Sequence, residues 1–524
     1  MRISLAWIFC IAVAIPVTAQ SVSYPDGFDE PFPTYEKALG PFTRTISTSN
    51  ARAQTYFNQG IQMMYAFTKV DAARSFREAQ KADPDCAICY WGEAWAWGSY
   101  LNGPMRAADS PRAYAKMQEA MDRIDSVEGV ERALIEAMSV RYVEDFSTDT
   151  RAVQDSAYAN AMRGVAEAFP NDLDAVTLYG EALFLLEPRR GTRDINDPDV
   201  ARLHAVLERV LDQDIQHPGA CHLYIHATES SQSARKAEAC SEFLGNAIPG
   251  ASHINHMPSH TWNVIGRWGD AVRANIQAWH SDQKAEINEG FAIYPSHNLH
   301  MLLFAASMDG QGAVAIQAAR DYEKLTGNNI YTALTLVRFG RFDDIAMLSD
   351  RSGNDVREGM WDFAKGYAAL RDGNSDEAKD LAETIIQTST TSSAAFRRHS
   401  AEHLLGDVGN ILLGEVLREE GDLAGAIVAF EAAVALEDQL IYDEPEPLPF
   451  AARDWLGAAL LENGDFAGAE EVYRAALEDH PHNGWSLYGL LEALQGQDKT
   501  DADVQADFDQ SWARSDTWIR GSRF

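Results

Sequence analysis

A spacing recurs along this chain that helical hairpins satisfy and strands do not. Gly457, Leu460, Gly464, Ala469, Tyr473, Ala476 and Pro481 follow one another at intervals that Gly414, Leu417, Gly421, Ala426, Phe430 and Ala433 reproduce. Far upstream, Gly60, Ala72, Phe76, Ala79 and Pro84 fall on the same template. Small residues let two antiparallel helices approach, an aromatic ring fills the gap between neighbouring pairs, and proline closes the unit. Gly-Asp and Gly-Arg pairs at 421, 464, 266 and 340 mark the turns. Looser copies occupy 175–186 and 363–385, and alternating strand patterns are nearly missing.

This template resembles the tetratricopeptide repeat (TPR). The resemblance implies an all-α fold, a right-handed superhelical solenoid of antiparallel helix pairs over most of 51–495. We divide it into a stack at 51–386 and C-terminal repeats with a tail at 387–524. Loop material interrupts the period at 186–199, 284–295, 387–393 and 442–449, the third serving as a hinge between stacks. Residues 20–50, rich in Pro, Ser and Thr, form an extended lead-in. Ahead of it, Arg2, the apolar run from Ile3 to Pro16 and the small residues Val17-Thr18-Ala19 read as a signal peptide over 1–19. The expected location is therefore periplasmic or secreted, with no membrane insertion.

The formal charge of −34 is spread along the chain, which argues against nucleic-acid partners. Four cysteines follow the leader, and an oxidising compartment favours pairing close neighbours, Cys86 with Cys89 and Cys221 with Cys240.

Histidine breaks the even texture. Nine of the 14 lie between His217 and His300, where an even spread would place about two. His222 and His226 are four apart and share a helical face; His256 and His260 repeat the pair 34 residues on, as Ala271 repeats Ala237. The family resemblance implies that these places on the first helix of a repeat face the concave groove, and that consecutive first helices lie side by side. His297 and His300 open the next such helix. Six imidazoles from three helices then converge, with Glu229 one turn beyond His226. His217, His253 and Glu181 are candidates for a second ring. Pro258 sits inside the second pair, and a kinked helix is the expected result.

Six crowded neutral imidazoles are poorly solvated and six protonated ones repel, so a cation resolves both. The expected ligands are His222, His226, His256, His260, His297 and His300. Glu229 is a further ligand or the catalytic general base. The alternatives are a polar peptide-binding groove and hydrogen-bonded packing. An all-imidazole set suits one or two transition ions, Zn, Cu or Fe, and not Mg or Ca. Three imidazoles per ion would resemble paired copper centres that handle oxygen; a bridging Glu229 would favour zinc or iron and hydrolysis.

Other features read as structural. Met257 and Met301 fit core packing, as do the tryptophans of 89–98. His399 and His403 read as a solvated face, and Cys86-Ala-Ile-Cys89 as a local disulfide and not a redox motif. Nucleophile elbows, phosphate loops and HExxH are missing from the sequence. HPGACHLYIHATE, PGASHINHMPSHTW and YPSHNLH together resemble a recurrent class of secreted bacterial tetratricopeptide proteins, which implies fold and compartment but no activity. The expected function is metal-dependent catalysis on a small-molecule or peptide ligand in the groove. A protein-binding scaffold and metal sequestration or delivery are the other readings.

Overall fold

Why the small residues recur is visible where paired helices cross. A methyl group added at Gly60, Gly414 or Gly457 would lie 2.6, 2.5 or 2.4 Å from the ring of Phe76, Phe430 or Tyr473. Only a hydrogen side chain admits the aromatic wedge there. The turns follow equally local rules. Gly421 and Gly464 have φ of 88° and 78°, the left-handed region that favours glycine. The aspartate after each, Asp422 or Asp465, caps the following helix by accepting from the N–H of Gly425 or Gly468.

The computed structural model describes residues 22–145, 147–188, 191–348 and 353–524; the expected leader at 1–19 lies outside them. Within these residues the fold is all-α, a TPR-like succession of helix pairs from Ala51–Tyr65 to Ala502–Ser511. The strands are two-residue segments, Ala395–Phe396 paired antiparallel with His399–Ser400. No helix among the described residues is long and apolar enough to cross a membrane. Both disulfides join as expected, Cys86 to Cys89 and Cys221 to Cys240.

The lead-in is extended but not loose. Phe28, Phe32, Ala38 and Ile46 are buried, and glutamines of the first helix satisfy its backbone. Gln59 accepts from the Tyr35 N–H and Gln62 from that of Gly40, at 2.9 and 2.8 Å. The middle of the lead-in docks beside the histidine-rich segment, where the Gly250 N–H donates to the Ala38 carbonyl at 2.8 Å.

One expectation fails. The loop expected at 387–393 is helical over its first five residues, since Ser375–Thr391 is a continuous helix, and one buried core includes residues from Ala234 to Ala459 on both sides of it. The helix buries a stripe of Ala378, Ala382, Ile385 and Ser389, and that packing outweighs the weak helix preference of its threonines and serines.

The superhelix curls until its C-terminal repeats meet its middle. Trp268 Nε1 donates to the Pro481 carbonyl and Trp485 Nε1 to that of Ser307, at 3.0 and 2.9 Å. The last residues seal the junction. Arg514 pairs with Asp309, Asp516 caps the helix at Gly312, and Phe524 packs on Tyr367 and Trp455. This closure places the histidine-rich helices against a partly open cavity.

Candidate metal centre

Proline opens each helix that carries the histidines. Pro218, Pro258 and Pro295 occupy first-turn positions of Pro218–Thr228, Pro258–Val264 and Pro295–Met308, where a missing N–H costs nothing. The short helix Ser252–His256 runs into Pro258 through Met257, whose φ and ψ of −50° and −39° keep the helical path. The chain thus stays helical through Pro258, and the His256 and His260 rings remain together, 4.7 Å between centroids.

Two groups of three imidazoles result. His222, His226 and His253 form one, and His256, His260 and His297 the other; within each, one ring nitrogen per residue lies within 4.8 Å of the others. The Nε2 atoms of His222 and His253 are 3.1 Å apart, and those of His256 and His260 are 3.3 Å apart. Two nitrogens each about 2.0–2.1 Å from one tetrahedral ion are about 3.3 Å apart, so these spacings would suit two ligands of one ion. All but half-buried His297 are buried.

Protonation decides whether such nitrogens can ligate. The Nδ1 of His222 faces the Tyr65 carbonyl at 2.6 Å, an oxygen that can only accept. The Nδ1 of His226 faces Glu229 Oε1 at 2.8 Å, and His260 Nδ1 contacts the other oxygen, Oε2. In His222 and His226 Nδ1 therefore carries the proton and Nε2 is left to offer a lone pair, while His260 turns its Nδ1 to the same carboxylate. Such an oxygen partner behind the ligand is the usual device for orienting metal-bound histidine. The Nε2 of His226 is buried without a hydrogen-bond partner.

The electrostatics agree. Burial first, and then the neighbouring imidazoles, push His222, His253 and His256 well below the usual histidine range, so they are neutral at pH 7. Burial alone would raise Glu229, but His260 and His226 outweigh it and hold the carboxyl far down, as an anion. His260 moves up, since Glu229 overcomes the burial that opposes its charge. A cation at the Nε2 atoms would displace the extra proton and keep the Nδ1 bonds.

The grouping differs from the expected six in one exchange. His300 does not join the six. It lies a turn deeper, stacked on Tyr331 with centroids 4.1 Å apart, because three residues along a helix carry it past the cluster. His253 takes its place, so each i, i+4 pair is completed by the first histidine of the next segment. The signal was present in the sequence as a repeated Ser-His-X-X-His, at 252–256 and 296–300. Glu229 groups with His226 and His260 as a possible ligand set, and its two oxygens also face the Nδ1 atoms of those rings. Its geometry is that of a positioning carboxylate.

The second ring does not form. His217 Nδ1 accepts from the Ala220 N–H, capping the helix, and its Nε2 donates to Asp174 at 3.2 Å. Glu181 accepts from Trp95 instead. His399 is buried 3.5 Å from Asp443, not on a solvated face. Met257 and Met301 are buried as expected, and the 91–97 tryptophans are core.

Two residues escaped sequence reading altogether. Phe67 lays its ring on those of His222 and His253, with centroids 4.2 and 5.4 Å away, and Tyr294 meets His253 edge-on at 5.5 Å. Both have left-handed backbone, φ 62° and 57°, which is costly outside glycine. Asn255 and Asn298 pin the two Ser-His-X-X-His turns, to the Gly245 carbonyl and to Asp282, each at 2.8 Å.

Beside the second triad lies a cavity of about 660 Å³ whose wall includes Glu229 and His260. Its wall also includes residues of the C-terminal repeats, Asp479 and His480 among them, and of the 440–446 loop.

Residues 411–484 match the tetratricopeptide repeat family, a small part of the chain that contains two of the three copies of the template. No curated protein matches the sequence. Among solved structures, the P58(IPK) TPR domain is similar at 13% identity, covering 86% of this chain and 99% of that one, with a TM-score of 0.22. Yeast Tom70 follows at 12%, with 89% and 92% covered and a TM-score of 0.27. A human IFIT1 dimer with m7Gppp-AAAA stands at 10%, with 89% and 91% covered and a TM-score of 0.29. At such scores the overall paths do not superimpose, and nothing about site or partner transfers.

Proposed function

We propose that this chain is an exported metalloprotein with a dinuclear transition-metal centre, and that it performs metal-dependent chemistry on an organic substrate in the adjoining cavity. His222, His226 and His253 hold one ion; His256, His260 and His297 hold the other. The observation that carries the reading is the set of rings whose Nδ1 atoms face oxygen acceptors while their buried Nε2 atoms converge. Three protein ligands per ion leave a position for water, oxygen or substrate, the arrangement of catalytic and not structural sites. Such ions supply Lewis acidity or bind oxygen. With Glu229 spent on orientation, the ligand sets are all-imidazole, which favours copper or zinc over the oxygen-rich sets of iron hydrolases.

A protein-binding scaffold is the reading favoured by the match at 411–484. Against it, the chain's own last residues already cover those helices: Ser522 bonds to Tyr473 and to the Asp454 carbonyl, and Phe524 packs on Trp455.

Metal analysis tests the proposal. Protein purified from cells grown with Cu, Zn and Fe, or stripped and titrated with each, is expected to hold two ions per chain. A chain that binds none of the three, or binds them with no rise in melting temperature, overturns it.

A further inference from the structure

The first triad is roofed by a residue whose backbone suits glycine better. Helix Ala51–Tyr65 ends in a turn where the Phe67 N–H donates to the Met64 carbonyl at 3.0 Å and the Thr68 N–H to that of Met63 at 2.9 Å. The left-handed residue of such a turn is usually glycine. Phenylalanine here, at φ 62°, carries strain that the surroundings must offset. The turn does two things for the site. It leaves the Tyr65 carbonyl, at the helix end, to accept from His222, and it lays the Phe67 ring on the first triad.

Phe67 meets all three imidazoles. Its centroid is 4.2 Å from His222, 5.4 Å from His253 and 6.2 Å from His226, whose ring it parallels within 6°. Behind it stands Tyr100, edge-on at 5.1 Å, with its hydroxyl bonded to that of Tyr294 at 2.6 Å. Tyr294, also left-handed, closes on His253. The second triad has no such roof. Among the described residues, His256, His260 and His297 make ring contacts with imidazoles alone.

The spaces beside the two triads differ in the same sense. His260 lines the cavity of about 660 Å³, and His297 is half-buried. The cavity at Phe67 and His222 holds about 20 Å³, room for a water-sized molecule and not for an organic one. Elsewhere the first triad borders the second, with centroids 5.4 Å apart between His226 and His260 and 5.2 Å between His253 and His256.

We infer that Phe67 is a shielding residue: it closes the first triad to solvent and to organic ligands, so that the substrate is met at the second triad alone. The division of labour between two ions rests on the metal-centre reading above; the shield itself is a property of the chain.

Phe67→Gly tests this, because glycine adopts the same backbone without strain, so the ring goes and the turn stays. Stripping of the loaded wild type by excess chelator is expected in two phases, at least about tenfold apart in rate. His253→Ala, which breaks the first triad, removes the slow phase. Phe67→Gly quickens the slow phase at least about tenfold and leaves the fast one unchanged. On the metal-free protein, carbethoxylation by diethyl pyrocarbonate is read residue by residue by mass spectrometry. It is expected to reach His297 at least about tenfold faster than His222, His226 or His253, and Phe67→Gly narrows that gap. Tyr100→Ala, which leaves the turn alone, acts in the same direction more weakly. First-triad histidines labelled as fast as His297 in the wild type, or a Phe67→Gly protein with the wild-type slow phase and labelling pattern, overturn the inference. Two ions bound and released at one rate refute this inference alone. A chain that shows the expected labelling and binds no ion refutes the metal-centre reading alone.

Discussion

Replacing Glu229 by Gln perturbs both triads through one atom pair. The carboxylate takes an Nδ1–H from His226 on one oxygen and contacts His260 Nδ1 with the other. A glutamine side chain is the same size, but it has a single acceptor oxygen, and its NH₂ would face an N–H donor. One of the two rings therefore loses its partner and is free to place its proton on Nε2, where the ion should bind. Losing one orienting partner behind a metal-bound histidine costs 10–100-fold in affinity, or about 1.4–2.7 kcal/mol. That is a minimum, because the lost negative charge weakens both ions in the same direction. Glu229→Ala strips both rings and is expected to lose at least twice the free energy, spread over both sites. Chelator-competition titrations of each variant read the two dissociation constants separately, and far-UV circular dichroism checks that the helices persist. Wild-type affinity for both ions in a folded Glu229→Gln protein would refute the positioning role and the tautomer argument behind it.

Further outcomes follow from the same coordinates. His253→Ala is expected to drop the bound metal from two ions to one, while His300→Ala leaves two; equal stoichiometry in both variants would restore His300 to the ligand set. Placing alanine at Gly60, where the added carbon falls 2.6 Å from the Phe76 ring, is expected to destabilise the first helix pair by about 1–3 kcal/mol in denaturant unfolding; an unchanged midpoint would mean that the ring can move aside. His480 is opposed by burial but raised to about 9 by Glu446, with help from Glu437 and Asp479. A raised histidine gives stability that is complete below its ordinary value of 6.5 and lost as pH rises through about 9. The advantage of wild type over His480→Gln in thermal unfolding, roughly 3 kcal/mol at most, is expected to vanish over that interval. A gap that stays constant from pH 6 to 10 would contradict the assignment.

The repeat template, the turns and the histidine concentration were legible along the chain because each depends on neighbours a few residues away. Gly421 and Asp422 form one turn and one cap, and His222 and His226 share a face by helical pitch alone. Even the choice of His253 over His300 left a trace, in the repeated Ser-His-X-X-His. The polar 387–391 run is helical although its composition suits a loop, because the helix it ends is held by packing through Ala378, Ala382, Ile385 and Ser389. The rest depends on residues far apart. The Tyr65 carbonyl reaches His222 from 157 positions away, and Phe67 covers the same rings from an unrelated turn. The cavity exists because Pro481 and Trp485 close on Trp268 and Ser307 across roughly 200 residues. Local spacing determines which faces carry imidazole; the accumulated curvature of the stacked pairs decides what those faces meet.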